Sequence, residues 1–218
     1  MTEPNDHALI PGGAPDPLDG PNKPVQIPEY LSAGWRLLWA NPGLHIAYTV
    51  FVLVVMYVLH WIPVLGNIAA ALLSGPLAAG FYLAMRKQMF GGNVAFGDYL
   101  LGFSKPVPLV LVGLATNLLI GIGFLLLILP GVYLMVAYLF AILLVADRDM
   151  DFWTAMEASR QFVTRQWFVF FVLVLLLVVA NAVGAAVFGI GLLISIPFSV
   201  ATVLCAYHDL IGLRQPAS

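Results

Sequence analysis

The chain has 218 residues, and its composition is far more apolar than that of a soluble domain. Apolar residues make up 61% of the sequence and charged residues only 9%, so a soluble fold would leave too much apolar surface in water. The formal net charge is −2 and no long basic stripe is present, so nucleic acid is not expected as a partner.

Residues 1–28 are predicted to form a disordered arm rich in Pro and Gly. Proline fixes φ and donates no backbone hydrogen bond, and few apolar residues are available there to bury. A membrane domain is predicted over residues 29–212, and residues 213–218 are a short C-terminal tail. Residues 1–28 are either a solvated tail, which is the preferred interpretation, or a docking arm for a partner.

Six apolar runs predict six membrane-spanning helices. A helix needs about 20 residues to cross the ~30 Å hydrocarbon core, and most of the runs reach that length. The fourth run is the shortest and is long enough only if it begins at Leu129, so five spans are the main alternative. The predicted spans are 44–62, 68–85, 107–129, 132–146, 168–188 and 192–207.

A short amphipathic segment precedes each pair of spans. The segments 30–39, 93–105 and 152–166 carry apolar residues at helical spacing, and the first also carries the Trp and Arg that favour a membrane interface. The predicted fold is therefore an all-α membrane protein. Its six transmembrane helices form three hairpins, each preceded by a short amphipathic interfacial helix.

Charge placement predicts the topology. With six spans, all nine Lys and Arg lie on one side, which the positive-inside rule makes cytoplasmic, together with both termini. All eleven Asp and Glu lie on that side too, because a carboxylate at mid-helix costs about 2.5–3.5 kcal/mol. The opposite turns are short, so the asymmetry supports the hairpins more than it proves their orientation.

The aspartates after the fourth span resemble the start of a calcium-binding loop. Asp147, Asp149 and Asp151 alternate as ligands would, but the sixth position is Phe152 and the twelfth is Ala158, where Gly and a bidentate Glu are needed. No His-x-x-x-His or His/Cys pair is present that would hold a metal, and no phosphate-binding or dinucleotide motif is present. The sequence therefore predicts no metal, no cofactor and no enzyme.

Two sets of polar residues are the candidate sites. The first lies where the three hairpins leave the membrane, and it is either a functional cluster or, as we prefer, a charge network at headgroup level. The second is a pair of amides within the spans, which either line a substrate path or, as we prefer, bond neighbouring helices. The first set is Arg86, Asp147, His208 and Asp209, and the second is Asn117 and Asn181.

Several short motifs resemble a known family. They are Leu-Pro-Gly-Val-Tyr at 129–133, Ala-Asp-Arg at 146–148, Ala-Met-Glu-Ala-Ser-Arg at 155–160 and Gly-Leu-Leu-Ile-Ser-Ile-Pro at 191–197. The chain resembles uncharacterised bacterial six-span integral membrane proteins and, more distantly, the membrane domain of glycerophosphoryl diester phosphodiesterases. The resemblance covers residues 30–212. It implies a bacterial inner membrane and transfers no catalytic residue.

The preferred function is a non-enzymatic scaffold or partner-binding module, because no catalytic site is found and three cytoplasmic surface helices could dock a protein. Its expected partners are the lipid bilayer and that protein, and the oligomeric state is left open. A carrier or channel for a small or lipid-like solute is the alternative, since repeated hairpins often enclose a central site. An intramembrane enzyme is a third class, which would depend on His208 or Asp209.

Overall fold

A computed structural model describes residues 23–186 and 189–214, and all regular elements in these two ranges are helical. A 3₁₀ turn at Leu100–Phe103 follows the fourth α-helix. The α-helices are α1 Ile27–Ala40, α2 Pro42–His60, α3 Leu65–Met89, α4 Phe96–Tyr99, α5 Pro106–Leu126, α6 Ile128–Ala137, α7 Ala141–Arg148, α8 Phe152–Thr164, α9 Trp167–Ala186 and α10 Leu192–Leu210.

Six stretches of the described chain are long and apolar enough to cross a membrane. They agree with the six predicted spans in number and approximate position, and the all-helical fold is confirmed. The third stretch ends at Leu126 and the fourth begins at Ile128, and the extended backbone of Leu127 separates α5 from α6. The six are α2, α3, α5, α6 with α7, α9 and α10.

Parts of the predicted arm and tail lie outside the described residues, as do the last two residues of the predicted fifth span. The arm was predicted over 1–28 and the tail over 213–218, but the description begins at residue 23 and ends at 214. Within the predicted arm, α1 already begins at Ile27.

Local sequence explains where several helices begin. α1, α2 and α5 each carry a proline in the first turn, where the missing N–H would have no helical partner. Asp151 caps α8, since its carboxylate accepts a hydrogen bond from the Trp153 N–H at 3.0 Å. A cap of this kind stabilises a helix by about 1 kcal/mol.

The fourth apolar stretch is broken into α6 and α7, and a serine from another helix fills the break. The Ser159 hydroxyl, on α8, donates to the Ala137 carbonyl at 2.8 Å and accepts from the Phe140 N–H at 3.2 Å. All three residues are fully buried. The hydroxyl therefore satisfies two backbone groups that a continuous helix would have paired internally, and it joins α8 to the stretch.

Glycines allow the long helices to approach closely. A Cβ added at Gly113 on α5 would lie 2.7 Å from the Gly75 nitrogen on α3. One added at Gly123 would lie 2.9 Å from the Gly131 Cα, and one at Gly184 would lie 2.6 Å from the Ser195 hydroxyl. These contacts hold α5 against α3 and α6, and α9 against α10, as small residues do between membrane helices.

Buried aromatic side chains fill the space between the later helices. The Phe140 ring packs edge-on against Phe170 and Tyr207, with centroids 5.6 and 5.7 Å away. All three are at most 1% exposed. Edge-to-face pairs of this kind add about 0.5–1.5 kcal/mol each beyond their burial. The core thus links the break at Phe140 to α9 and α10.

Candidate functional site

The charged residues of the described chain gather where α3, α7 and α10 end, and we name this region the polar end. Arg86, Asp147 and Asp209 all lie in the last turn of one of these helices. Hydrogen bonds from Arg86 and Tyr207 to Asp147 connect the ends of these three helices. Residues far apart in sequence therefore come together at the polar end.

Asp147 is the most buried charged side chain there, with 2% of its side chain exposed. Arg86 Nη1 donates to its Oδ1 at 2.9 Å, and the Tyr207 hydroxyl donates to its Oδ2 at 3.3 Å. The backbone N–H of Arg214 donates to the same carboxylate at 3.2 Å. One carboxylate therefore ties α3, α7, α10 and the segment after α10 to each other.

Arg148 reinforces the connection to the segment after α10. Its Nη2 donates to the Ile211 carbonyl at 3.0 Å, and its own carbonyl accepts from Arg214 Nη1 at 3.4 Å. Together with the Asp147 bonds, these contacts fix residues 211–214 against the end of α7.

Asp209 belongs to a second network, which is centred on α1. Its Oδ2 accepts from the Tyr30 hydroxyl at 2.8 Å, and its Oδ1 pairs with the Lys23 ammonium. Burial raises the pKa of Tyr30, and the adjacent Asp209 carboxylate raises it further, so the phenol stays protonated as the donor. This bond fastens the start of α1 to the end of α10.

The predicted cluster of four residues is therefore divided. Arg86 and Asp147 are bonded to each other, while Asp209 pairs with Lys23 and Tyr30. His208 is exposed, and its Nδ1 accepts a 3.4 Å hydrogen bond from the Leu213 N–H. The structure thus forms two networks at the polar end in place of one.

A third polar contact joins α3 to α4. The Lys87 ammonium lies 2.9 Å from both oxygens of Asp98, and the Ala95 N–H donates to the same carboxylate at 2.7 Å. Partial burial raises the pKa of Asp98, but the bonds from Ala95 and Lys87 outweigh it and lower the pKa overall. The carboxylate therefore remains charged and holds α4 in place.

A buried histidine also connects this region to α2. His45 Nδ1 lies 2.6 Å from the Tyr99 hydroxyl, and both residues are fully buried. No sequence pattern predicts this contact. The partner of His45 comes from a segment 54 residues later in the chain, so no local spacing could have revealed it.

The two intramembrane amides bond helices other than their own. Asn117 donates to the Ser74 hydroxyl on α3 at 3.0 Å. Asn181 donates to Ser199 on α10 at 2.7 Å and accepts from Ser195 at 3.0 Å. This is the arrangement that an amide in an apolar helix is expected to adopt.

A cavity of about 380 Å³ lies between α1 and α10, next to the end of α3. Its walls include acidic, basic and apolar groups, among them Glu29, Arg36, Cys205, His208 and Asp209. The sequence analysis did not predict this site. Only Arg36 falls in the predicted surface helix 30–39, and periodicity does not show which partner helix such a face will meet.

Among the described residues, no group of three or more His, Cys, Asp or Glu is placed to hold a metal ion. The cavity carries charged side chains that a ligand can contact, and the Asp147 network holds several helix ends together.

The six apolar helices indicate a multi-pass membrane protein. No family model matches the chain, and no curated protein or solved structure shows significant similarity to it. The resemblance to the membrane domain of phosphodiesterases therefore stays a prediction.

Proposed function

We propose that this protein lies in a bacterial inner membrane as three helical hairpins, with its polar end and both termini in the cytoplasm. The pairs α2–α3, α5–α6 and α9–α10 are in contact, and a short helix precedes each pair in sequence. α1, α4 and α8 carry exposed Trp and Phe side chains suited to a membrane interface. The sequence resemblance supports the inner membrane as the location.

Site-directed labelling tests this topology. In a Cys205→Ser background, Lys105→Cys and Arg160→Cys should react with an impermeant maleimide from the same side of the membrane. Asn67→Cys, exposed in the first turn of α3, should react from the other side. Labelling of Lys105→Cys and Arg160→Cys from opposite sides would overturn the hairpin arrangement.

We further propose that the protein is a non-enzymatic scaffold that presents a rigid cytoplasmic platform to a protein partner. The observation that carries this is the buried Asp147 carboxylate, which fixes four segments of the polar end at one point. Its bonds are directed at the protein's own groups, as expected of a structural support. Ser159 anchors α8 to the same platform.

The outer face of α8 is the part of this platform best prepared for a partner. Glu157 accepts from Arg160 Nε at 2.8 Å and from Gln161 at 2.7 Å, so the charged side chains are held in one arrangement. Preorganised side chains lose less entropy on association, which favours binding. The expected partner is a soluble domain with a complementary mixed-charge surface.

A photo-crosslinking amino acid at Gln161 tests the scaffold proposal in native membranes. One defined protein should be trapped there, and the same probe at Asn67 should not trap it. The trapped protein, once purified, should bind the reconstituted chain about tenfold more weakly after Arg160→Glu, the effect of about 1.4 kcal/mol. Equal trapping at Gln161 and Asn67, or binding of the partner that is unchanged by Arg160→Glu, would contradict the scaffold proposal.

The carrier alternative has one observation in its favour, the polar strip of Asn181, Ser195 and Ser199 between α9 and α10. Transport needs a water-filled path at this depth, whereas Gly184 lies in direct contact with Gly191. This close packing favours the scaffold. Solute efflux from proteoliposomes that is abolished by Asn181→Leu would instead support a carrier.

A further inference from the structure

We propose that the cavity between α1 and α10 binds a zwitterionic phosphate ester that carries a primary ammonium group. This is the chemistry of a phosphatidylethanolamine headgroup, and free phosphoethanolamine shares it. The binding site is independent of the scaffold role. Only its supply from the cytoplasmic leaflet rests on the topology proposed above.

The cavity has the size and the rigid walls of a binding site. Its volume of about 380 Å³ falls within the ~300–1,000 Å³ range of small-ligand pockets. A Cβ on Gly34 would lie 2.5 Å from the Thr202 hydroxyl, so α1 is in backbone-level contact with α10. The Tyr30–Asp209 hydrogen bond fastens the other end of the interface.

Two opposite charges in the cavity lack an ionic partner among residues 23–186 and 189–214. Arg36 and Glu29 both line it, and neither forms an ion pair within those ranges. Both side chains are exposed, and the Glu29 carboxylate contacts only the neutral amide of Gln26 there, so a ligand in the cavity has access to both charges. Asp209, by contrast, is already paired with Lys23.

The two charges lie at separate places in the cavity. Arg36 follows Glu29 by seven residues on α1, which corresponds to roughly 10 Å along the helix axis. They are therefore on the same face of α1 but too far apart in the helix to neutralise each other. A ligand that carries both charges on a short chain could contact both.

The basic side of the cavity is suited to a phosphate. The Arg36 guanidinium can donate two parallel hydrogen bonds to phosphate oxygens. His208 Nδ1 accepts from the Leu213 N–H, which places the proton of the neutral ring on Nε2 as a further donor. The Glu29 side is suited to an ammonium, whose three N–H groups need acceptors.

The mixture of charges selects against simpler ligands. A ligand with only a phosphate would leave the Glu29 carboxylate unpaired and close to a second negative group, alongside Asp209. A ligand with only an ammonium would leave Arg36 unpaired. A zwitterion compensates both charges.

Lipid retention tests the zwitterionic site directly. The full chain is placed in nanodiscs that contain equal amounts of phosphatidylethanolamine and phosphatidylglycerol. Native mass spectrometry should show one phosphatidylethanolamine retained on the wild type. Glu29→Gln and Arg36→Gln should each weaken retention about tenfold, the order expected for one lost charge-assisted hydrogen bond. Arg165→Gln, which removes an exposed arginine outside the cavity, is the matched control and should retain the lipid.

The single cysteine provides a second readout and distinguishes the two sources of the ligand. Cys205 lines the cavity, so an occupant should slow its alkylation by a small maleimide. Slower alkylation in phosphatidylethanolamine nanodiscs assigns a lipid ligand. Slower alkylation only on adding soluble phosphoethanolamine, in phosphatidylglycerol nanodiscs, supports the same chemistry with a soluble ligand.

Equal retention of phosphatidylglycerol, or retention unchanged by Glu29→Gln, would overturn the zwitterionic site. Loss of retention in Arg165→Gln would equally overturn it, because the effect would then be one of general charge. A wrong topology would appear in the maleimide labelling of Lys105→Cys and Arg160→Cys, and it would leave these lipid measurements unaffected.

Discussion

The two ends of the long helices are held together by different interactions. At the polar end, charges and hydroxyls bond across helices, with Asp147 at the centre of the largest network. At the opposite end, glycines allow backbones to touch, as Gly123 does with Gly131 and Gly184 does with Gly191. Where water and headgroups are available, charge can be used for specificity. The turns at the opposite end, at residues 61–64, 127 and 187–191, contain no charged side chain, so close packing takes the place of charge there.

The largest effect is expected from Asp147→Asn, because the change leaves the half-buried Arg86 without its counter-charge. Breaking one member of a buried ion pair costs about 3–5 kcal/mol, which should appear as a lower free energy of unfolding in detergent. Asp149→Asn is the matched control, since the Asp149 side chain is 54% exposed in its pair with Lys105, against 2% for Asp147.

An exposed ion pair contributes only about 0–1 kcal/mol, so Asp149→Asn should leave unfolding nearly unchanged. Similar losses for the two variants would show that charge at this end acts collectively, without a special role for the buried network.

At the glycine end, Gly123→Ala should destabilise the protein by about 1–3 kcal/mol, because the added methyl group meets the backbone of Gly131. Gly121→Ala, two residues earlier on the same helix, meets nothing within 4 Å and is the control. It should be neutral or stabilising by up to ~1 kcal/mol, since alanine is the better helix former. Thermal unfolding in detergent compares the two.

Asn181→Ala tests the comparison between the two ends, because it removes a polar contact between α9 and α10, which are otherwise largely apolar. Hydrogen bonds between membrane helices average about 0.6 kcal/mol and reach about 1.7. We expect a loss in that range, because both Ser195 and Ser199 lose a partner. A loss as large as that of Asp147→Asn would contradict the division between the two ends.

The smallest effect is expected at Glu157, on the exposed face of α8. Hydrogen bonds from Arg160, and then from Gln161, lower the pKa of Glu157 to about 2 in the folded protein. Its unfolded pKa is about 4.3, so its contribution to stability is present above that pH and is lost as pH falls towards 2. The wild type should lose slightly more stability than Glu157→Gln over this window, and equal losses would show that the pair contributes nothing.

Much of the fold follows from the sequence, because length and apolarity determine which segments can cross a membrane. The break between α6 and α7 does not follow from the sequence, because the residues at the break, Tyr138, Leu139 and Phe140, include no proline or glycine. The break is stabilised by Ser159, and only the folded chain brings that hydroxyl to it.

The candidate sites could be predicted only in part, because some of their partners also come together only in the folded chain. Charged residues at helix exits were recognisable from the sequence, and Arg86 and Asp147 are indeed bonded. That Asp209 pairs with Lys23 and Tyr30 depends on α1 lying across α10. The cavity depends on that crossing too, so no motif in the sequence marks it.

The serine bridge at the break has a consequence for biosynthesis. Ala137 precedes Ser159 by 22 residues, so the carbonyl at the break leaves the ribosome while its eventual partner is still inside the exit tunnel. Completion of the fourth span must therefore wait until α8 has emerged and docked. A translational pause while α8 is still inside the tunnel should leave an insertion intermediate that later synthesis resolves.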